Sequence, residues 1–238
     1  MGKNGQNGDP FEGGGEINLS EGPFSRVTEL VLHLFWPVSC PVCGKAATPA
    51  CGTCLDRLAR YPLREMCLEC MGVYPCPNHP GSVPVRSHTV FRDLPRDLVH
   101  LVKYGSRREL GRLMGRSMGR TFGAIDNAFL VPVPLHAGSP RVYNQSLELA
   151  RGIADVWNAE AGERLEWRIA RPTQVGLASG ERKKLPRDAI CWKGKVPRGK
   201  SICLVDDVVT TGATLRSCLE AVKSSGEEVL EVLTWAAV

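Results

Sequence analysis

A chain of 238 residues with 43% hydrophobic composition can bury one good-sized core plus a small appendage, and it is too short for two full-sized domains of average length. Thirty (30) Lys plus Arg against 25 Asp plus Glu leave a net charge of +5, which fits an anionic ligand or nucleic acid and is equally ordinary in a soluble protein. The longest apolar stretch, residues 27–36, contains His33 and falls short of the roughly 20 residues that span a bilayer. No apolar leader opens the chain either, so the expectation is a cytoplasmic protein with no membrane insertion.

Residues 1–22, rich in Gly, Asn and Glu, hold too few apolar side chains to offset the entropy of ordering, and read as a disordered tail. Over 24–36, Val27, Leu30, Val31, Leu34 and Phe35 recur at three- and four-residue steps, which predicts a short amphipathic helix ended by Pro37. Seven of the ten cysteines follow between Cys40 and Cys76. Cys40/Cys43, Cys51/Cys54 and Cys67/Cys70 are Cys-x2-Cys pairs, and Cys76 with His79 is a Cys-x2-His. A two-residue gap lets both ligands of a knuckle face one tetrahedral ion, and without an export signal zinc explains these pairs better than disulfides do. Eight ligands suffice for two structural zinc sites, of which the one from Cys40, Cys43, Cys51 and Cys54 is the safer. The expected division is a tail over 1–22, a helix plus cysteine module over 23–82, and a larger domain over 83–238.

That larger domain opens with a strand near 85–91, then helices over 97–104 and 108–122, the second burying Leu110, Leu113, Met114 and Met118 along one face. A strand over 129–135, a helix over about 145–157 and a strand near 165–170 follow, then a Lys/Arg-rich loop over 173–187. A strand over 202–205, a helix after Gly212 and a strand over 229–236 close the chain. The β-α-β order predicts an α/β fold with a parallel sheet flanked by helices. On the second helix, Arg108, Arg112, Arg116 and Arg120 line one side, and with Arg107 they form a positive stripe: a solvated face, or a track for single-stranded DNA. Gly111, Gly115 and Gly119 repeat at the same step, so a neighbouring backbone or a ligand comes close there.

The most informative stretch is LVDDVVTTGAT, in which an apolar strand runs into Asp206 and Asp207 and then into a loop that opens a helix. Ligands of open α/β sheets sit beyond the carboxyl ends of strands. Backbone N–H groups of residues 210–214, aided by the helix dipole, suit a phosphate. Gly212 allows the tight backbone path. Ionised Asp only accepts hydrogen bonds, which suits the vicinal hydroxyls of a ribose. Acids and loop together describe a ribose 5-phosphate site.

This stretch resembles the phosphoribosyl pyrophosphate loop of type I phosphoribosyltransferases. From about residue 24 onward the chain resembles the competence-associated ComF family: cysteine pairs after a short helix, then LVKYG, VPVPLH with a following NQ, TQVGLASGER and the acidic loop, in that order. The resemblance implies a type I phosphoribosyltransferase-like parallel sheet with a small zinc-ribbon-like module, and a place in natural competence or DNA uptake. It implies that Asp206, Asp207 and Val208 border the ribose, and that Thr210, Thr211, Gly212, Ala213 and Thr214 hold the 5-phosphate. Pro134, Leu135, His136 and Arg141 would form the loop for pyrophosphate, carried with Mg2+. Gln174, Glu181 and Arg182 match a mobile loop that closes over the reacting centre, and Lys103, with Arg182, is a further catalytic or anion-contacting position. The loop after VPVPLH departs from the family in carrying Arg141 as its one arginine, which leaves two functions open: a transferase, or a binding protein that keeps the pocket and engages DNA or uptake proteins.

Overall fold

The computed structural model describes residues 39–46, 49–59, 65–105, 107–136, 138–168 and 189–238. The tail and amphipathic helix expected over 1–36, and the loop carrying Gln174, Glu181 and Arg182, lie outside the described residues. In chain order the elements are α1 (Gly52–Asp56), β1 (Glu65–Cys67), β2 (Pro84–Val90), α2 (Asp93–Tyr104), α3 (Arg108–Phe122), β3 (Ala128–Pro132), α4 (Gln145–Trp157), β4 (Glu160–Ala161), β5 (Leu165–Trp167), β6 (Ile190–Trp192), β7 (Ser201–Val209), α5 (Ala213–Lys223) and β8 (Val229–Ala237).

Six strands form one sheet in the order β1-β2-β8-β7-β3-β4, in which β1 is antiparallel and the other neighbours run parallel. The expected fold class, α/β with a mostly parallel sheet between helices, is the one observed. β5 and β6 make a separate antiparallel pair. Leu98, Leu110, Met114, Met118, Leu149 and Ile153 fill the layer beneath α2, α3 and α4, and Leu215, Leu219 and Val222 fill the layer beneath α5. The central strands are covered on both faces, so their sequences read as apolar runs rather than alternating ones.

Boundaries moved where local chemistry overrode periodicity. α2 starts at Asp93, four residues before the expected start, because Pro95 fits a first helical turn, where its missing N–H has no acceptor to lose. β3 stops at Pro132, which cannot donate to the ladder, although Val133 N–H still reaches the Val205 carbonyl at 2.9 Å. β7 runs on to Val209, paired there with Ala237, so Asp206 and Asp207 are the last part of a strand rather than the start of a loop.

The glycine stripe of α3 faces α4. A Cβ on Gly115 would lie 2.1 Å from the Leu149 carbonyl oxygen, and one on Gly152 would lie 2.2 Å from the Arg112 carbonyl oxygen. The arginines beside it hold the fold together. Arg112 donates twice to Asp155 (2.8 and 2.7 Å) and Arg116 donates once (2.9 Å). Arg120 pairs with Asp56 at 2.9 Å, and the Arg108 guanidinium lies over the Tyr143 ring. Arg108, Arg112, Arg116 and Arg120 are therefore held by intramolecular partners rather than presented as a row of unpaired cations.

Candidate functional site

β7 and α5 are joined by three residues. Gly212 turns the chain with φ +69°, a left-handed conformation in which an L side chain is strained, and Ala213 opens the helix. The first amides of α5 have no helical acceptor, and they point toward the loop with the positive end of the helix dipole. Asp206, Val208, Val209 and residues 210–215 line a small cavity of about 60 Å³. By the measure of about 10–15 Å³ per water, that holds a few waters or one phosphoryl group. The exposed Thr210 and Thr211 border its mouth.

The two acids have different surroundings. Asp206 Oδ1 accepts from the Ser146 hydroxyl (3.0 Å) and from the Asp207 N–H (2.8 Å). Burial, and then the neighbouring Asp207 charge, push its carboxyl up to about 7, against the pull of those two donors and of Lys103. Asp207 is 6% exposed, and its Oδ1 lies 3.0 Å from Lys103 Nζ. Its Oδ2 is buried without a hydrogen-bond partner among the described residues. A buried carboxylate oxygen without a donor costs on the order of 1–3 kcal/mol, which a ligand hydroxyl would recover.

Other expected residues gather at the same end of the sheet. Pro132 pairs with Val205, so residues 134–136 leave β3 level with the acids. The His136 ring lies 5.1 Å from that of Trp167, whose Nε1–H donates to the Pro134 carbonyl (2.9 Å) and fixes the turn. Leu135 is half-buried. The Arg141 guanidinium lies 6.0 Å from the ring of Tyr104, the residue after Lys103, so the β3–α4 loop meets the end of α2, which itself reaches Asp207 through Lys103.

Two residues of this site escaped sequence reading. Ser146 reaches Asp206 from the first turn of α4, where the Asn144 side chain caps the helix by accepting from the Ser146 N–H at 3.0 Å. An Asn before a periodic run was the available signal. Arg216, on α5, donates through Nη1 to the carbonyls of Leu68 (2.9 Å), Glu69 (3.3 Å) and Thr211 (3.0 Å). No local pattern announces that contact.

The cysteines form two clusters that could each hold a metal ion: Cys40, Cys43, Cys51 and Cys54, and Cys67, Cys70, Cys76 and His79. Within each, the donor atoms lie within 4.8 Å of one another. A tetrahedral zinc with Zn–S of ~2.3 Å sets sulfur–sulfur edges near ~3.8 Å. The separations match: 3.7 Å for Cys43–Cys51, 4.0 Å for Cys40–Cys51 and 3.7 Å for Cys70–Cys76, with His79 Nδ1 at 3.4 Å from Cys76 and 3.7 Å from Cys67. Burial raises the Cys40 thiol, but N–H groups of Cys51, Val42 and Cys43 outweigh it and hold the thiol at about 6. Cys67 is also held at about 6, where burial is outweighed by the Ser82 hydroxyl and the N–H groups of Cys70 and Glu69. Cys54 is pushed up to about 12, first by its contact with Cys51 and then by burial and the other sulfurs. Thiolates crowded in this way suit a divalent cation. Chelation is expected to speed hydrogen exchange within residues 39–79 before it affects β3 and β7; unchanged exchange, or metal analysis without zinc, would count against structural zinc.

A larger cavity of about 630 Å³ opens between the second cluster and the ends of β2 and β8, with Met66, Met71, Tyr74, Thr89, Val90 and Ala237 among its lining. Met71 is shared with the acidic loop, since a Cβ on Gly212 would sit 2.9 Å from its sulfur.

Among the described residues, no helix is long and apolar enough to cross a membrane. No protein-family model and no curated protein matches the chain. A solved structure titled as the allosteric regulatory enzyme of purine biosynthesis is similar at 20% sequence identity and a TM-score of 0.34, over 55% of this chain and 25% of that one. The match thus spans about a quarter of that enzyme's length.

Proposed function

We propose that the chain is a phosphoribosyltransferase-like protein that binds phosphoribosyl pyrophosphate or a related ribose 5-phosphate ligand. The observation that carries the reading is the small cavity edged by Asp206 and lined by residues 210–215, at the end of a strand whose next residue, Asp207, keeps a buried Oδ2 without a hydrogen-bond partner among the described residues. In this assignment Asp206 and Asp207 accept from the ribose 2- and 3-hydroxyls and Val208 borders the sugar. Thr210, Thr211, Gly212, Ala213 and Thr214 surround the 5-phosphate. Residues 134–136 and Arg141 receive the pyrophosphate with Mg2+, Lys103 neutralises Asp207, and Gln174, Glu181 and Arg182 close the site. Zinc occupies the two cysteine clusters, within a module over 23–82 that precedes a ligand-binding domain over 83–238.

As a transferase, the protein would displace pyrophosphate from the anomeric carbon through an oxocarbenium-like state, with positioning and charge stabilisation supplying most of the rate. A non-catalytic reading, in which the pocket serves recognition, draws support from Arg141 being the one arginine in the loop after β3. The ComF resemblance would place either version in DNA uptake. The pairing of Arg112, Arg116 and Arg120 with Asp155 and Asp56 favours the small-molecule ligand over DNA along α3.

Titration calorimetry with phosphoribosyl pyrophosphate and Mg2+ is expected to give saturable binding that ribose lacking the phosphate does not reproduce. Pyrophosphate release with nucleobase or amine acceptors selects the transferase; binding without release selects the recognition protein. No heat at millimolar ligand removes both.

A further inference from the structure

The second cysteine cluster and the acidic loop are joined by one side chain. Leu68 and Glu69 are the two residues between Cys67 and Cys70, so the carbonyls that receive Arg216 belong to the knuckle itself. The same Nη1 bonds the Thr211 carbonyl, in the middle of the anion loop. Contact continues through Gly212, where an added Cβ would meet Met71 Sδ at 2.9 Å and the Leu68 carbonyl oxygen at 3.3 Å. The knuckle turn is held locally by Met71 N–H to the Cys67 carbonyl and Cys67 N–H to the Gly72 carbonyl, both 2.8 Å. Leu68 is fully buried in the core and its N–H donates to the Val83 carbonyl at 3.1 Å, while the rest of the knuckle, Glu69 to Met71, is held by its own turn and by the four groups that converge from Cys67, Cys70, Cys76 and His79.

We propose that Arg216 is a positioning residue that transmits the state of the Cys67/Cys70/Cys76/His79 metal site to the 210–214 loop, so that metal there tightens phosphoryl binding. This rests on the assignment of that loop to the phosphate. The physical step is short. A metal-fixed knuckle presents two carbonyl oxygens at set positions; the guanidinium bridges them to Thr211 and keeps the loop in its anion-ready form. Loss of the ion loosens the knuckle beyond the buried Leu68 and so weakens the bridge from Glu69 through Arg216 to Thr211, leaving part of the loop to be ordered when ligand arrives. Linkage requires the reverse effect too: ligand on the loop must slow metal loss from the second cluster.

The test uses the full chain and phosphoribosyl pyrophosphate with Mg2+ as probe. Arg216→Ala and Cys70→Ser are each expected to speed amide exchange over residues 210–216 without ligand and to weaken binding about ten-fold, within the usual range of site-to-site coupling. Their combination should be no worse than either alone, because both cut one connection. Glu220→Ala, exposed on the same helix, should change neither. If Cys70→Ser does not fold, release of zinc from the parent protein to a chromogenic chelator replaces it: added ligand should slow one of two release phases, and Arg216→Ala should abolish that slowing. Arg216→Ala that weakens binding while exchange at 210–216 stays unchanged would make Arg216 a direct phosphate contact and overturn the proposal. Additive losses, or zinc release indifferent to ligand, would overturn it as well. If the parent protein binds no probe, the assignment of the loop fails separately, and the exchange data on the zinc-loaded and zinc-stripped protein still decide whether the knuckle orders it.

Discussion

The double variant Asp206→Asn/Asp207→Asn is expected to lose binding of phosphoribosyl pyrophosphate by about 100-fold or more while remaining folded. Each carboxylate-to-hydroxyl bond in a buried setting is worth about 1.5–3 kcal/mol, and an amide presents one acceptor where a carboxylate presents two. The single variants separate the two acids. Asp206 carries its proton to about pH 7 in the native state and to about 3.8 when unfolded. Between those values the native state binds the extra proton, so this group's contribution is fully favourable below about 3.8 and is lost as pH rises to about 7. Asp206→Asn should therefore match the parent in stability near pH 4 and exceed it at pH 8, by a few kcal/mol at most. Asp207→Asn strips Lys103 of its partner and should cost about 1–3 kcal/mol. Ligand affinity of the parent should climb from pH 6 to 8 as Asp206 ionises. Chemical denaturation and calorimetry at three pH values check all of this, and a double variant that binds like the parent would end the ribose assignment.

Gly115→Ala and Gly152→Ala are each expected to destabilise the protein by about 3 kcal/mol or more, the largest stability effects we anticipate from single methyl groups. The added carbon has no room. At 2.1 and 2.2 Å from carbonyl oxygens of the facing helix, it can be accommodated only by moving α3 and α4 apart, and both helices carry core side chains. Separation would also pull Arg112 and Arg116 from Asp155 and shift the α4 start that supplies Ser146 to Asp206. Ligand binding should weaken along with stability. Thermal unfolding within a degree or two of the parent would contradict the close approach.

Much of the scaffold was legible because its elements are long and periodic. α3 and α4 match their expected spans, since regularly spaced apolar positions leave a long helix little freedom. The strand-to-helix turn at Asp206, Asp207 and Gly212 was legible because an apolar run stops at two adjacent carboxylates and a glycine precedes the next helical stretch. What escaped reading depends on tertiary contact. Arg216 looks like any exposed helical arginine until the chain brings residue 68 beside it. The arginine stripe of α3 offered a solvated face or a DNA track, and only the positions of Asp56 and Asp155 show it tied within the fold. The three-residue β1, too short to carry a period of its own, was likewise invisible.

β1 also has a consequence for solubility. It covers one flank of the seven-residue β2, and the opposite border of the sheet ends in β4, only two residues long. If β1 peels away, β2 exposes a row of free amides and carbonyls on which another molecule can add a strand. Because Cys67 is both the last residue of β1 and a member of the second cysteine cluster, a metal held there would pin β1 to its neighbour, and stripping it is expected to raise turbidity before simple unfolding is seen.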